Sequence, residues 1–278
     1  MEFHLIGPFE IVTDDGRTYA PKATKICQVL AVLALQPREP VATDTLVLEL
    51  WGEQAAKGAV RTLQTHVYHA RRMLREAQAG GSERRLLATK APGYRLEVDE
   101  DEVDVHVFER LIRRAQWELT EGCPERASDC LDRAQALWRG PMLGNIPTGI
   151  VLAGRIAYLE ELRIRALELR VETENRLGRS REFLPELRAL VNDHPLHEWF
   201  HCQLISALHG AGRRGEALQA YQNLYRILTR ELGLEPSAEV QRLHSEILEG
   251  PAKGSLRRRR DTPPNSTVTH LCRSAVAS

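Results

Sequence analysis

Apolar positions along the first hundred residues change their period several times, and each change marks an element. Residues 3 to 20 read as short strands with a turn at Asp14-Asp15-Gly16. From Lys22 to Leu35 the spacing becomes helical, with Ile26, Val29, Leu30 and Leu33 on one stripe, and Pro37 and Pro40 stop it. A second, short helix carries Leu46, Leu50 and Trp51; Thr43 is its expected N-cap and Gly52 its close. A third runs from about Lys57 to Ala77, with Val60, Leu63, Val67, Ala70 and Leu74 on one side. After Gly80-Gly81 come two strand-like runs, Leu86 to Lys90 and Tyr94 to Val98. Between them lies Ala91-Pro92-Gly93, whose Pro and Gly suit the centre of a type II turn. Strands, three helices and a hairpin in this order predict a winged helix.

An acidic stretch follows, Glu97, Asp99, Glu100, Asp101, Glu102 and Asp104. It reads as a solvated linker whose carboxylates also favour the start of the next helix. From Val105 to about Leu248 the pattern is helical throughout. Gly178-Arg179-x-x-Glu182 recurs 34 residues later as Gly212-Arg213-x-x-Glu216, the tetratricopeptide period. Beyond Glu249 the chain turns polar, with four arginines at 257–260, and reads as a disordered tail. The expected architecture is mostly α: a winged-helix domain of α+β type over residues 1–98, an all-α tetratricopeptide-like domain over 99–249, and a tail over 250–278.

At 278 residues the chain has room for two cores. Lys+Arg and Asp+Glu are both 38, so net charge says nothing about nucleic acid. The apolar stretches are too short and too polar to span a bilayer, and the N-terminus lacks the features of a signal peptide. Five cysteines at irregular spacings, with no CxxC pair, suggest neither a disulfide framework nor a Cys-rich zinc site. A cytoplasmic protein without membrane contact is expected.

The distribution of charge is more informative than its sum. Between Lys57 and Arg95 stand nine basic residues and two acidic ones, a net of +7. On a helical wheel with the apolar stripe turned inward, Arg61, Thr62, Thr65, His69 and Arg72 of the third helix point outward, and Tyr68, Arg71 and Arg75 lie on a flank; Arg71 and Arg72 are expected among the DNA contacts. Charge of one sign on one helix and its adjoining hairpin is an electrostatic footprint for phosphate. A helix fits the major groove, where Arg, Thr and His side chains meet base edges, while Lys90 of the hairpin lies along the backbone or in the minor groove.

Seven blocks carry a family resemblance. They are residues 5–11 (LIGPFEI), 49–52 (ELWG), 62–67 (TLQTHV), 92–96 (PGYRL), 108–111 (FERL), 136–141 (ALWRGP) and 231–236 (ELGLEP). In this order they resemble the Streptomyces antibiotic regulatory proteins, whose DNA-binding half is similar to the OmpR-type output domain; the likeness covers roughly residues 3 to 249. It implies an activator of a secondary-metabolite gene cluster that binds direct repeats of double-stranded DNA, self-associates there, and recruits RNA polymerase holoenzyme including its sigma factor. It also implies that Arg61 and His66 meet phosphate, that Thr62, Thr65 and His69 face the major groove, and that Lys90 is the basic residue of the wing. His69 departs from the usual Arg or Ser, which leaves the base preference open, and Tyr94 is expected to pack within the wing. No GxxxxGK[ST] is present, which points to the small form of the family.

One motif competes with this reading. His197-Glu198-Trp199-Phe200-His201 satisfies HExxH, the zinc-protease signature. The third ligand and the glycine of the longer signature are missing, and Phe200, Leu204 and Leu208 occupy a packing stripe, so no metal, cofactor or catalytic residue is expected. The same holds for GxSxG and GxGxxG, which do not occur. Trp138, Trp199, Tyr221 and Tyr225 read as core. Two other readings share the fold: a repressor, and an interaction adaptor whose winged helix binds protein.

Overall fold

A computed structural model describes residues 1–78 and 84–249 of the chain; the expected tail lies outside the described residues. The chain opens with a three-stranded antiparallel sheet of β1 (Glu2–His4), β2 (Glu10–Val12) and β3 (Thr18–Tyr19). In it Phe3 pairs with Ile11 and Ile11 with Tyr19. Phe3, Leu5, Ile6, Phe9 and Ile11 are fully buried beneath it. Helix α1 (Thr24–Ala34) is enclosed: every residue from Ile26 to Ala34 is buried. This exceeds the single stripe read from its sequence. A helix that is apolar nearly all round sits inside a core.

Strand β4 (Val41–Ala42) leads into α2 (Thr43–Trp51), and after one 3-10 turn comes α3 (Ala59–Ala77). The wing is β5 (Leu87–Lys90) and β6 (Gly93–Leu96), and β4 pairs with the far side of β6, giving the sheet order β4-β6-β5. A two-residue strand has no period of its own, and nothing in the sequence pattern announces β4.

Three local expectations are corrected here. Thr43 does not cap α2; Ala42 holds that position without a side-chain cap. The Thr43 hydroxyl donates instead to the Pro92 carbonyl at 3.1 Å, tying the helix start to the wing's turn. That turn is not type II, because the Ala91–Pro92 peptide is cis and Gly93 does not have positive φ. Gly93 is needed for a different reason. A Cβ there would overlap the Val41 carbonyl oxygen and stand 2.7 Å from the Thr43 nitrogen, so β4 and β6 meet only because residue 93 has no side chain. Finally, Val60 stands 45 % exposed at the start of α3, outside the buried stripe of Leu63, Val67, Ala70 and Leu74.

The acidic stretch is not a solvated linker. Residues Glu100–Glu102 form a 3-10 turn closed by a reciprocal Asp99–Glu102 capping box. Glu102 takes two hydrogen bonds from Arg84, and Asp99 pairs with Arg38. Asp104 is buried and accepts from the backbone N–H groups of Leu5 at 2.8 Å and Ile6 at 2.9 Å. A run of like charges is dispersed by giving most of its carboxylates, Glu97, Asp99, Asp101, Glu102 and Asp104, an arginine partner each.

The helical region comprises α4 (Asp104–Thr120), α5 (Pro124–Ala136), α6 (Ile150–Arg176), α7 (Leu184–Asp193), α8 (Glu198–Gly210), α9 (Arg214–Leu232) and α10 (Ala238–Glu249). Gly178 and Gly212, the two ends of the 34-residue period, both take left-handed φ, 72° and 77°. The residue after each donates back to the carbonyl five positions earlier, Arg179 to Glu174 and Arg213 to Leu208. Each is a Schellman stop that β-carbon-bearing residues disfavour. The pair α7–α8 fills the interval between the stops, and α9–α10 follows the second, as a tetratricopeptide-like repeat requires.

The apolar core does not divide at the hairpin's end. One buried cluster runs from Met1 through Leu169, and a second from Val171 to Ile247. Helix α6, 27 residues long and about 40 Å from end to end, passes from one to the other. Polar ties cross between the winged helix and the helical region. Glu49 of α2 accepts from the N–H groups of Gly149, Val151 and Leu152 and so caps α6. The Asn145 side chain exchanges two hydrogen bonds with the backbone of Phe9, and Arg139 bridges Glu10 and Asp104.

Candidate nucleic-acid interface

Helix α3 divides cleanly by face. Leu63, Val67, Ala70 and Leu74 are at most 2 % exposed, and this stripe fixes the helix's rotation about its axis. Arg61, Thr62, Thr65, His69 and Arg72 are exposed on the opposite side, where the helical wheel puts them. Gln64 is exposed on the same helix, and its polarity and spacing are the signal that adds it to the set. The helix starts at Gly58 without a side-chain cap or an acidic residue in its first turn. Its uncapped N–H groups and positive dipole end stand beside Lys57 and Arg61, a combination suited to phosphate. A hollow of about 500 Å³ at this end is lined by Trp51, Lys57, Arg61, Thr62 and Thr65.

The hydroxyls of the two threonines are anchored. Thr62 Oγ1 donates to the Gly58 carbonyl at 3.4 Å and Thr65 Oγ1 to that of Arg61 at 3.2 Å. Both side chains remain exposed, and a threonine in this state can still accept a hydrogen bond or offer its methyl group to a base. His66 is half-buried, its ring stacked on Trp51 with centroids 6.2 Å apart. Burial, then the charges of His69 and Lys25, hold it below the usual 6.5, so at neutral pH it offers an uncharged N–H.

Arg71, one of the expected DNA contacts, is engaged by the wing. Its Nε donates to the Leu87 carbonyl at 3.0 Å and its terminal nitrogen to Thr89 Oγ1 at 2.7 Å. The guanidinium also lies 5.9 Å from the centre of the Tyr94 ring, which is itself packed within the wing as expected. Arg71 therefore positions the wing against α3. Lys90 stands exposed at the wing's tip end of β5. Between helix and wing lies a groove of about 580 Å³ lined by Tyr68, Arg75, Arg84, Arg85 and Lys90 among others.

The excess of +7 overstates the field. Arg72 pairs with Glu76, Arg84 with Glu102 and Arg95 with Glu97. Two of these partners lie outside the stretch over which the charge was summed. Lys57, Arg61, Arg75, Arg85 and Lys90 have no ion-pair partner among the described residues, and they flank both ends of the exposed face of α3.

The HExxH residues have other occupations. His201 is 1 % exposed and hydrogen-bonded to the Pro195 carbonyl at 3.0 Å. Glu198 accepts from the backbone N–H of Ser237 at 2.6 Å, and His197 stacks on Phe200 with centroids 4.3 Å apart. Trp199 and Tyr221 pack against the second cluster, as Trp138 does against the first, whereas Tyr225 is 41 % exposed and not core. Burial holds His201 below the usual 6.5. The unfolded chain therefore takes its proton near pH 6.5 and the folded chain only lower, so the associated stability is complete above 6.5 and lost as pH falls. His66 and His194 shift the same way, mainly from burial. The unfolding free energy from denaturant titration should fall between pH 7.5 and 5.5, with His201 contributing at most about 1.4 kcal/mol per pH unit, and His201→Gln should flatten the profile. A flat wild-type profile would refute a buried neutral His201.

Comparison with known proteins identifies the two regions of the chain. Residues 20–96 match the family model of the C-terminal domain of transcriptional regulatory proteins, and residues 103–248 match the bacterial transcriptional activator domain. The regulatory protein DnrI of Streptomyces peucetius is 39 % identical over 251 residues, covering 89 % of this chain and 92 % of DnrI. The transcriptional regulator RedD of Streptomyces coelicolor is 34 % identical over 252 residues, covering 89 % of this chain and 70 % of RedD. Among solved structures, Mycobacterium tuberculosis EmbR, in complex with a low-affinity phosphopeptide, superposes with a TM-score of 0.81 at 31 % identity. That match covers 89 % of this chain and 65 % of the EmbR chain. No helix among the described residues is long and apolar enough to cross a membrane. The chain belongs to the Streptomyces antibiotic regulatory protein family of transcriptional activators.

Proposed function

We propose that the protein is a sequence-specific activator of a secondary-metabolite gene cluster that binds direct repeats in double-stranded DNA. Helix α3 enters the major groove with Thr62, Thr65 and His69 toward base edges, while Arg61, His66 and Arg72 meet phosphates. Lys90 reaches the flanking backbone, and Arg71 sets the wing's angle. The observation that carries this reading is the exposed polar face of α3, held in rotation by four buried apolar residues and flanked by cations without carboxylate partners. Copies on direct repeats meet head to tail, so the contact between them is heterologous. Residues 1–98 then carry the DNA contact, and the helical region over 99–249 meets RNA polymerase and its sigma factor. Activation is assembly at the promoter, without covalent chemistry, inside the cytoplasm.

The test is a mobility shift on promoters from the protein's own gene neighbourhood, at several salt concentrations. Arg61→Ala should weaken binding to all sequences alike and lower the salt slope by about one, as expected for one lost phosphate contact. Thr65→Ala should weaken the specific site more than random DNA. Absence of any shift at low salt with folded protein would remove the DNA-reading proposal and favour the adaptor.

A further inference from the structure

A cavity of about 330 Å³ opens between α5, α6 and α7, away from the DNA-reading face. It lies where the two buried clusters meet. Phe108 and Leu131 belong to the first; Leu167, Phe183 and Leu190 pack on the second. Trp138 completes the wall and meets Phe108 edge to face, with centroids 5.5 Å apart. A mostly apolar recess of this size with a few polar groups has the character of a small-molecule site.

Three buried N–H groups here have no hydrogen-bond acceptor, Nε1 of Trp138 and the Nε atoms of Arg163 and Arg170. A buried donor left in that condition is unfavourable, and all three belong to residues lining one cavity. The Arg163 guanidinium lies over the Trp138 ring, 4.3 Å from its centre. Its nearest carboxylate, Glu160, is 3.7 Å away on the same helix. Arg170 differs in that its terminal nitrogen is engaged by Asp132 and its Nε stands 3.4 Å from the Glu174 carboxylate. The rim carries Arg163 and Arg170 against Asp132 and Glu186, so its charge is balanced.

We propose that this cavity binds a small, uncharged, planar aromatic molecule whose carbonyl oxygen accepts from Trp138 Nε1 and Arg163 Nε. The rings of Phe108, Trp138 and Phe183 select a flat aromatic body. These two unpaired donors select an acceptor oxygen, and the balanced rim gives an added carboxylate no net attraction. Entry requires the Arg163 side chain, 39 % exposed, to slide off the indole, which a long stem accomplishes by changing rotamer.

The chain has four tryptophans, so indole N–H signals of the full-length, 15N-Trp-labelled protein give a direct readout. Trp138→Phe assigns the signal. Flavone and xanthone serve as probes and flavan as the analogue without a carbonyl. Each ketone should shift the Trp138 signal saturably and leave those of Trp51, Trp117 and Trp199 in place. Flavan should bind about tenfold more weakly, the value of one or two hydrogen bonds. Ala189→Trp, at an exposed position lining the cavity, should abolish the response while the other indole signals keep their folded positions. Arg163→Ala serves as a second variant and should weaken flavone severalfold. No saturable Trp138 shift with either ketone, equal binding of flavan, or a response that survives in a folded Ala189→Trp would each overturn the proposal.

Discussion

Asp104→Ala should cost about 3–5 kcal/mol of folding stability, measured by urea unfolding, although residue 104 is far from the DNA-reading face. The wild-type carboxylate is 6 % exposed and satisfies the backbone N–H groups of Leu5 and Ile6, both fully buried, while facing Arg139 at 3.2 Å. Removing it orphans two buried donors at about 1–3 kcal/mol each, and the vacated volume adds a cavity cost. Arg139 keeps Glu10 and loses only its inner partner. Asp104→Asn should fall between wild type and Ala, because its oxygen still accepts while its amide confronts donors. A cost below about 1 kcal/mol for Ala would show that the carboxylate is not what holds this loop.

Gly93→Ala should be nearly as damaging, at about 3 kcal/mol, and should also weaken DNA binding. The new methyl would overlap the Val41 carbonyl and lie 2.9 Å from the Ala42 carbonyl carbon, all backbone atoms that cannot rotate away. Strand β4 must separate from β6, and with it go the hydrogen bonds from Thr43 to the Pro92 carbonyl. The wing then loses one of its anchors, Arg71 being another. Gly154→Ala provides the contrast. It lies within α6 with open space around its Cβ position, and should stabilise by about 0.5–1 kcal/mol through helix propensity alone. Paired thermal melts and mobility shifts separate the outcomes; a Gly93→Ala protein that melts and binds as wild type would contradict the strand pairing.

Much of the fold was legible because it rests on local periodicity. The stripe of Leu63, Val67, Ala70 and Leu74 gave both α3 and the side that faces outward, and the glycines at 178 and 212 gave the repeat. The remainder depends on partners distant in sequence. Strand β4 exists only through its pairing with β6. The roles of Glu49, Asp104 and Asn145 are set by backbone N–H groups about a hundred or more residues away. The candidate site shows the same split. Exposure of Arg61, Thr62, Thr65, His69 and Arg72 follows from the wheel. The attachment of Arg71 to Leu87 and Thr89, and the neutralisation of Arg84 and Arg95, require knowing where the wing lies. The acidic stretch misled for a related reason: its composition reads as solvated until its arginine partners are placed.

The shared core also limits how this protein can be taken apart. A hybrid joined after residue 98, to graft the DNA-reading end onto another regulator, would discard Val103, Phe108, Leu111 and Leu152 from the cluster that holds Phe3, Leu5 and Leu30. It would also leave Glu49 with no helix to cap. The exchangeable cassette is therefore the first 170 or so residues, with the seam toward the C-terminal end of α6. If α3 reads DNA as proposed, swapping specificity between relatives calls for changing its outward side chains in place, not for transplanting the winged helix.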